Sequence, residues 1–249
     1  MNVNLILLVI LGLLMIKIGG ERGRLALAAL FFNLTFMFIM LILFNWGFSP
    51  ILVTLLASVS ITAMNLFFIN GYSKKTLVAF NSSLIVLVIM MFFIFLSISF
   101  MHLQGLPSEE LMEMDMYSMD VGLSFVLLSI SVMTMSVVGA INDIAISITS
   151  AISEVHFNSP DLTEKELYQS GMTVGKDVLA STINTLIFAL VGSQIALLVW
   201  VSDLHYTLAQ FFNTKILVTE WVSLLLSGIS IALTIPISTK LMIKSIKKP

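Results

Sequence analysis

The sequence predicts an all-α polytopic membrane protein with about seven transmembrane helices. Three observations predict it. Of 249 residues, 58% are hydrophobic. Only 10% are charged, where a soluble domain carries about 25%. Apolar runs also recur at close to the roughly 20 residues that cross a bilayer core of about 30 Å.

Seven runs meet that measure, at 3–18, 25–44, 49–70, 77–101, 121–150, 178–201 and 218–239. The first is short and the fifth overlong. Residues 1–249 read as one transmembrane domain, with two N-terminal spans in 1–46 and a five-span core in 49–249. An acidic outer loop at 102–120 and a cytoplasmic linker at 154–176 interrupt the core. The opening run from Val3 to Ile16 has no basic stretch before it and no small-residue cleavage site, so it is expected to be retained.

Charge orients the spans. Lys17, Arg22 and Arg24 follow the first, Lys74 and Lys75 the third, Lys165 and Lys176 the fifth, and four lysines end the chain. The opposite loops are acidic or neutral, with Lys215 as their cation. Positive loops stay inside, so the N-terminus is expected outside and the C-terminus in the cytoplasm. In the linker, Asp161 and Glu164 have the spacing of a capping box, and Pro160 suits a helix start. A short surface helix is expected there, broken near Gly171 and Gly175 before the sixth span.

Within the fifth span Ser129, Ser136, Gly139, Asp143, Ser147, Ser150 and Glu154 share one helical face. Small and polar residues let membrane helices approach closely and hydrogen-bond. Asp177, Ser181, Asn184 or Thr185, Phe188 and Gly192 line one face of the sixth span, and Thr54, Ser58, Thr62 and Asn65 one face of the third. Three such stripes can face one another.

A charge in hydrocarbon is costly and tends to be functional. Counted from Val121, Asp143 lies about 33 Å along the helix, at the far membrane surface. Counted back from Glu154, it lies near mid-membrane. Length alone leaves both placements open. The stripe continuing past Asp143 to Glu154 favours burial, with Asn142, Asn184, Thr185 and Ser147 as supporting polar groups. Gly139, Ala140 and Ser181 are candidate helix-packing residues.

Enzyme chemistry fails on inventory. No cysteine is present, and no second aspartate accompanies Asp143 for an aspartyl protease. "LLSGIS" lacks the first glycine of a rhomboid-type motif, and no HExxH helix occurs. No phosphate loop or basic face for nucleic acid is present. No cofactor and no metal centre are expected. The acidic outer loop, with Glu109, Glu110, Glu113, Asp115 and Asp120, reads as solvated.

The stretch "GAINDIAISITSAISEV" and the later "SGMTVGKDVLASTINTLIFALVGSQIALLVW" resemble the YibE/F-like family of bacterial membrane proteins. The likeness rests on Gly139, Ala140, Asp143, Ala145 and Ser147; on Ser170, Gly171, Met172, Gly175 and Asp177 of the linker; and on Thr182, Asn184, Thr185 and Leu186. It implies a permease in the bacterial cell membrane. A more distant likeness joins spans three to seven to the membrane domains of SecD/SecF and the RND superfamily. Those domains couple proton movement to outside work through intramembrane ionisable groups. This chain departs from them in lacking the Asp-Arg-Ile-Arg-Glu sequence, of which only Glu154 remains, and any large extracytoplasmic domain. The resemblance therefore implies a paralogous partner chain that carries such a domain, in a hetero-oligomer. The expected function is a subunit of a transporter or proton-driven machine, moving an unidentified small molecule or ion, with Asp143 as coupling group. The alternative is a non-transporting scaffold or assembly factor.

Overall fold

Apolar sequence this continuous must satisfy its backbone internally once in lipid, and helices do so. In the computed structural model, residues 3–103, 124–203 and 207–247 are described, and the elements among them are helices. They are α1 (Val3–Asn45), α2 (Pro50–Ala63), α3 (Lys74–Met101), α4 (Phe125–Asn158), α5 (Glu164–Asp203), the short α6 (Leu208–Phe212) and α7 (Lys215–Lys247). A π-helical turn, Met64–Phe68, extends α2. Six of these helical segments are long and apolar enough to cross a membrane, which makes the chain a multi-pass membrane protein. The acidic loop's carboxylates at 109–120 fall outside the described residues.

The first two expected spans are one element with a fold-back inside it. Gly20 interrupts α1 at φ 57°, ψ −130°, a conformation that a side chain makes costly and glycine tolerates. A Cβ on Gly23 would collide with the carbonyl of Met15, and one on Gly12 would sit 3.7 Å from Leu27. Residues 12 and 27 would be about 22 Å apart on a straight helix. The arms 3–19 and 21–45 therefore run back beside each other. The second arm places Met40 and Phe44 against Val53 and Ala57 of α2.

Helices α3, α4 and α7 form the centre. Towards one end, Met90, Ile94 and Ile98 pack with Ile130, Met133, Val137 and Leu226. Towards the other, Ile144, Ile148 and Ile152 pack with Val78, Leu167, Ile231, Ile235 and Met242. Polar threads run through this apolar core. Buried Ser82 of α3 shares a 2.9 Å hydrogen bond with Ser238 of α7. Helix α7 contains Pro236, whose ring removes one backbone donor.

The linker differs from expectation twice. The capping box forms two residues later than predicted: Thr163 N and Oγ1 donate to Glu166 Oε2 at 2.8 and 2.7 Å, and Glu166 N donates back to Thr163 Oγ1. Helix α5 then runs from Glu164 through Gly171 and Gly175 without a break. Both glycines are buried. A Cβ on Gly171 would meet Ile152 and Thr239 at 2.9 Å, and one on Gly175 would collide with Ile235. They bring α5 against α7 and α4, and that close packing holds the helix where isolated glycines would weaken it. Lys247 closes this end with a 2.9 Å ion pair to Glu164.

Candidate functional site

One cavity, of about 610 Å³, collects five polar side chains: Asn33, Asn65, Asn70, Asn142 and Asp143. They arrive from three parts of the chain: the second arm of α1, the π-helical turn with the residues after it, and α4. Asn33 comes from the second arm of α1, and its Nδ2 donates to Asn65 Oδ1 at 2.8 Å. Asn65 stands in the π-helical turn. Such turns carry an extra residue per turn and disturb the α-helical ladder. Asn70 Nδ2 supplies a partner there, donating to the Asn65 carbonyl at 3.2 Å. Helix α4 contributes the Asn142–Asp143 pair.

The pair divides its roles by helical position. Asn142 is 2% exposed, and among the described residues neither its Nδ2 nor its Oδ1 has a hydrogen-bond partner. Asn33 Oδ1 is likewise buried without a partner. Asp143 lines the same cavity but stays exposed on the surface of the chain. Among the described residues no ion pair reaches its carboxylate, and no basic side chain lines the cavity.

The surrounding elements place Asp143 along the bundle. Met15 and Ala26, on either side of the Gly20 fold-back, line the cavity, as do Ile69 and Asn70 just before Gly71. The cavity therefore lies near the end that bears Lys17, Arg22, Arg24, Lys74 and Lys75. Met15 and Asn65 are each about 8–9 Å from their turns along the helix. Asp143 shares their cavity, a similar distance from those turns. The excess length of α4 extends beyond it, beside the start of α5 and the end of α7.

The predicted stripes separate. Thr54, Ser58 and Thr62 face inward and are almost fully buried, with Ser58 Oγ 3.6 Å from Met135 Sδ of α4. The α4 stripe does the opposite. Ser136, Gly139, Asp143, Ser147 and Glu154 are exposed, while Val137, Val138, Ile141 and Ile144 fill the core. Among the described residues no atom lies within 4 Å of where a Cβ on Gly139 would stand. Ala140 is half-buried against the core. Ser147 Oγ donates to the Asp143 carbonyl at 2.7 Å, not to the carboxylate. On α5, Asp177, Ser181, Asn184 and Thr185 are also exposed. Thr185 Oγ1 donates to the Ser181 carbonyl at 3.0 Å. Asn184 and Thr185 do not line the cavity with Asp143.

Ser136 belongs to a second cavity of about 310 Å³ with Glu220, Ser193, Ser223 and Ser227. Its Oγ lies 2.9 Å from Ser223 Oγ. Seven residues, or about 10 Å of helix, separate Ser136 from Asp143. Sequence reasoning missed Asn33, Asn70 and Glu220. Asn33, a single amide inside "LFFNLTF", carried the signal that could have found it.

The fold and cavity define a multi-pass helical membrane protein with an ionisable group set in an amide-lined recess. The family described as YibE/F-like protein matches residues 7–248, and the chain belongs to that family. No curated protein and no solved structure matches it.

Proposed function

We propose that this protein is a subunit of a membrane transporter or proton-driven membrane machine, with Asp143 as the ion-coupling group. One observation carries the reading: an unpaired carboxylate shares a cavity with an asparagine whose amide is buried and unpartnered. Intramembrane carboxylates without a cation partner are a costly feature for packing alone. A second polar cavity touches α4 at Ser136, about two turns along the helix from Asp143. The reading involves no enzymatic reaction. In it, Asn142–Asp143 on α4 and the Thr-Ile-Asn-Thr sequence of α5 (Thr182 to Thr185) play the parts of the corresponding SecD/SecF and RND helices. Exchange of Asp143→Asn in a strain dependent on the protein tests it. Loss of function with intact assembly supports coupling, and full function removes it.

The partner chain is part of the same proposal. Exposed Gly139, Ser147, Ser181 and Asn184 offer lipid a surface that a second chain would cover better. The scaffold alternative makes the same use of that surface. Gly139→Leu is expected to leave the isolated chain's stability within about 0.5 kcal/mol, as surface substitutions usually do. It should weaken co-purification with a partner, and unchanged co-purification would remove Gly139 from the interface.

For topology, the two arms of α1 would cross separately, giving seven crossings with the N-terminus outside and the C-terminus in the cytoplasm of a bacterial cell. Reporter fusions after Lys75 and after Ser170 should both report the cytoplasm. An external signal at either site is incompatible with this arrangement.

A further inference from the structure

The oxygen inventory of the Asp143 cavity goes beyond what a proton requires. Among the described residues Asn142 Oδ1 and Asn33 Oδ1 are buried acceptors without donors, and Asn142 Nδ2 is a buried donor without an acceptor. Asn65 Oδ1 accepts one hydrogen bond, from Asn33, and an amide oxygen has a second lone pair. Asp143 adds a carboxylate to the same lining. Protonation would neutralise Asp143 and create a single O–H donor, enough for one of these oxygens. A metal cation neutralises the charge and serves several oxygens at once. Carboxylate and amide oxygens are hard ligands that suit alkali and alkaline-earth ions. Among the described residues, no three His, Cys, Asp or Glu side chains gather for a metal ion. With one carboxylate, a monovalent ion leaves the site neutral, whereas a divalent ion leaves a net positive charge in a low-dielectric region.

We propose that the cavity binds a monovalent alkali-metal cation, with Asp143 as its counter-charge and Asn142, Asn33 and Asn65 as neutral oxygen ligands. The proposal rests on the reading of Asp143 as an ion-handling group and names the ion's class. The unpaired Asn142 amide, nearly fully buried on the cavity wall, is what distinguishes this lining from a polar stripe.

The test uses the full chain in nanodiscs, melted in LiCl, NaCl, KCl or MgCl2 with choline chloride holding ionic strength constant. At least one alkali cation should raise the melting temperature saturably, as a ligand that binds only the folded state does. Asp143→Asn should abolish the response. Asn33→Ala, at a half-buried position where folding is less at risk, should raise the half-effect concentration by about tenfold, equivalent to about 1.4 kcal/mol. Three results overturn the site: no saturable response beyond choline in the wild type, an equal response in Asp143→Asn, or a saturable response to MgCl2 at lower concentration than to any alkali salt. Coupling is read separately by growth. A cation-binding wild type with a functional Asp143→Asn variant keeps the site and removes coupling. A wild type without cation response, beside a non-functional variant, removes the site and leaves proton coupling standing.

Discussion

Asp143→Asn should abolish the function of the protein while leaving its fold unchanged. The two side chains have nearly the same size, and Asn retains hydrogen bonding but cannot carry a charge at neutral pH. Asp143 is exposed on α4 and packs into neither main core cluster, so helix packing gives no reason for instability. A coupling role requires the charge. Activity in a dependent strain should therefore fall by at least about tenfold, the factor that 1.4 kcal/mol represents. The companion Asp143→Leu should fail equally and also remain folded. Its side chain would face outward, so the packing disturbance expected from a buried position does not apply. Full activity in either variant, with normal protein levels, would show that Asp143 does not couple.

The largest stability effects are expected at Gly175 and Gly171, where α5 crosses α7. Gly175→Ala would drive a methyl group into the side chain of Ile235, whose Cγ1 and Cβ also lie at 3.2 and 3.3 Å from the new atom. Ile235 is buried and β-branched, so it has little rotameric freedom to move aside. Overpacking of this kind costs about 1–3 kcal/mol, which corresponds to about 2–4 °C of melting temperature per kcal/mol in a chain of this size. Gly171→Ala would meet Ile152 Cδ1 and Thr239 at 2.9 Å. The terminal methyl of Ile152 can swing away, but stiff Thr239 cannot, so a smaller loss is expected there. Melting of the purified variants checks both. Wild-type melting in Gly175→Ala would mean that α5 does not lie against α7 at this distance.

These glycines show where local sequence signals point the wrong way. Propensity marks Gly171 and Gly175 as a weak place in a helix, and the sequence reading breaks the linker helix there. Tertiary contact overrides propensity, because a glycine also allows two backbones to approach, and helix α5 passes through both positions intact. The capping box moved for a different, local reason. Asp161 and Glu164 have the right spacing, but Thr163 and Glu166 have it too. Spacing alone does not choose between two overlapping boxes.

Composition by itself determined that this is a helical membrane protein, since apolar runs of this length have few other ways to satisfy their backbone. The motifs resemble those of the YibE/F-like family, which matches residues 7–248, and the likeness to SecD/SecF helices marks Asn142 and Asp143 as a pair. Periodicity showed that Gly139, Asp143 and Ser147 share a face, because a helix fixes relative angles along its own axis. It could not show which way that face points. That direction depends on which neighbours bury the opposite side, and Ile141, Ile144 and Ile148 win the core for α4. Only the tertiary structure turned the stripe outward, folded α1 back at Gly20, and brought Asn33, more than a hundred residues away in sequence, to the same cavity as Asp143. A one-dimensional pattern records spacing within an element; which elements meet is decided by packing between them.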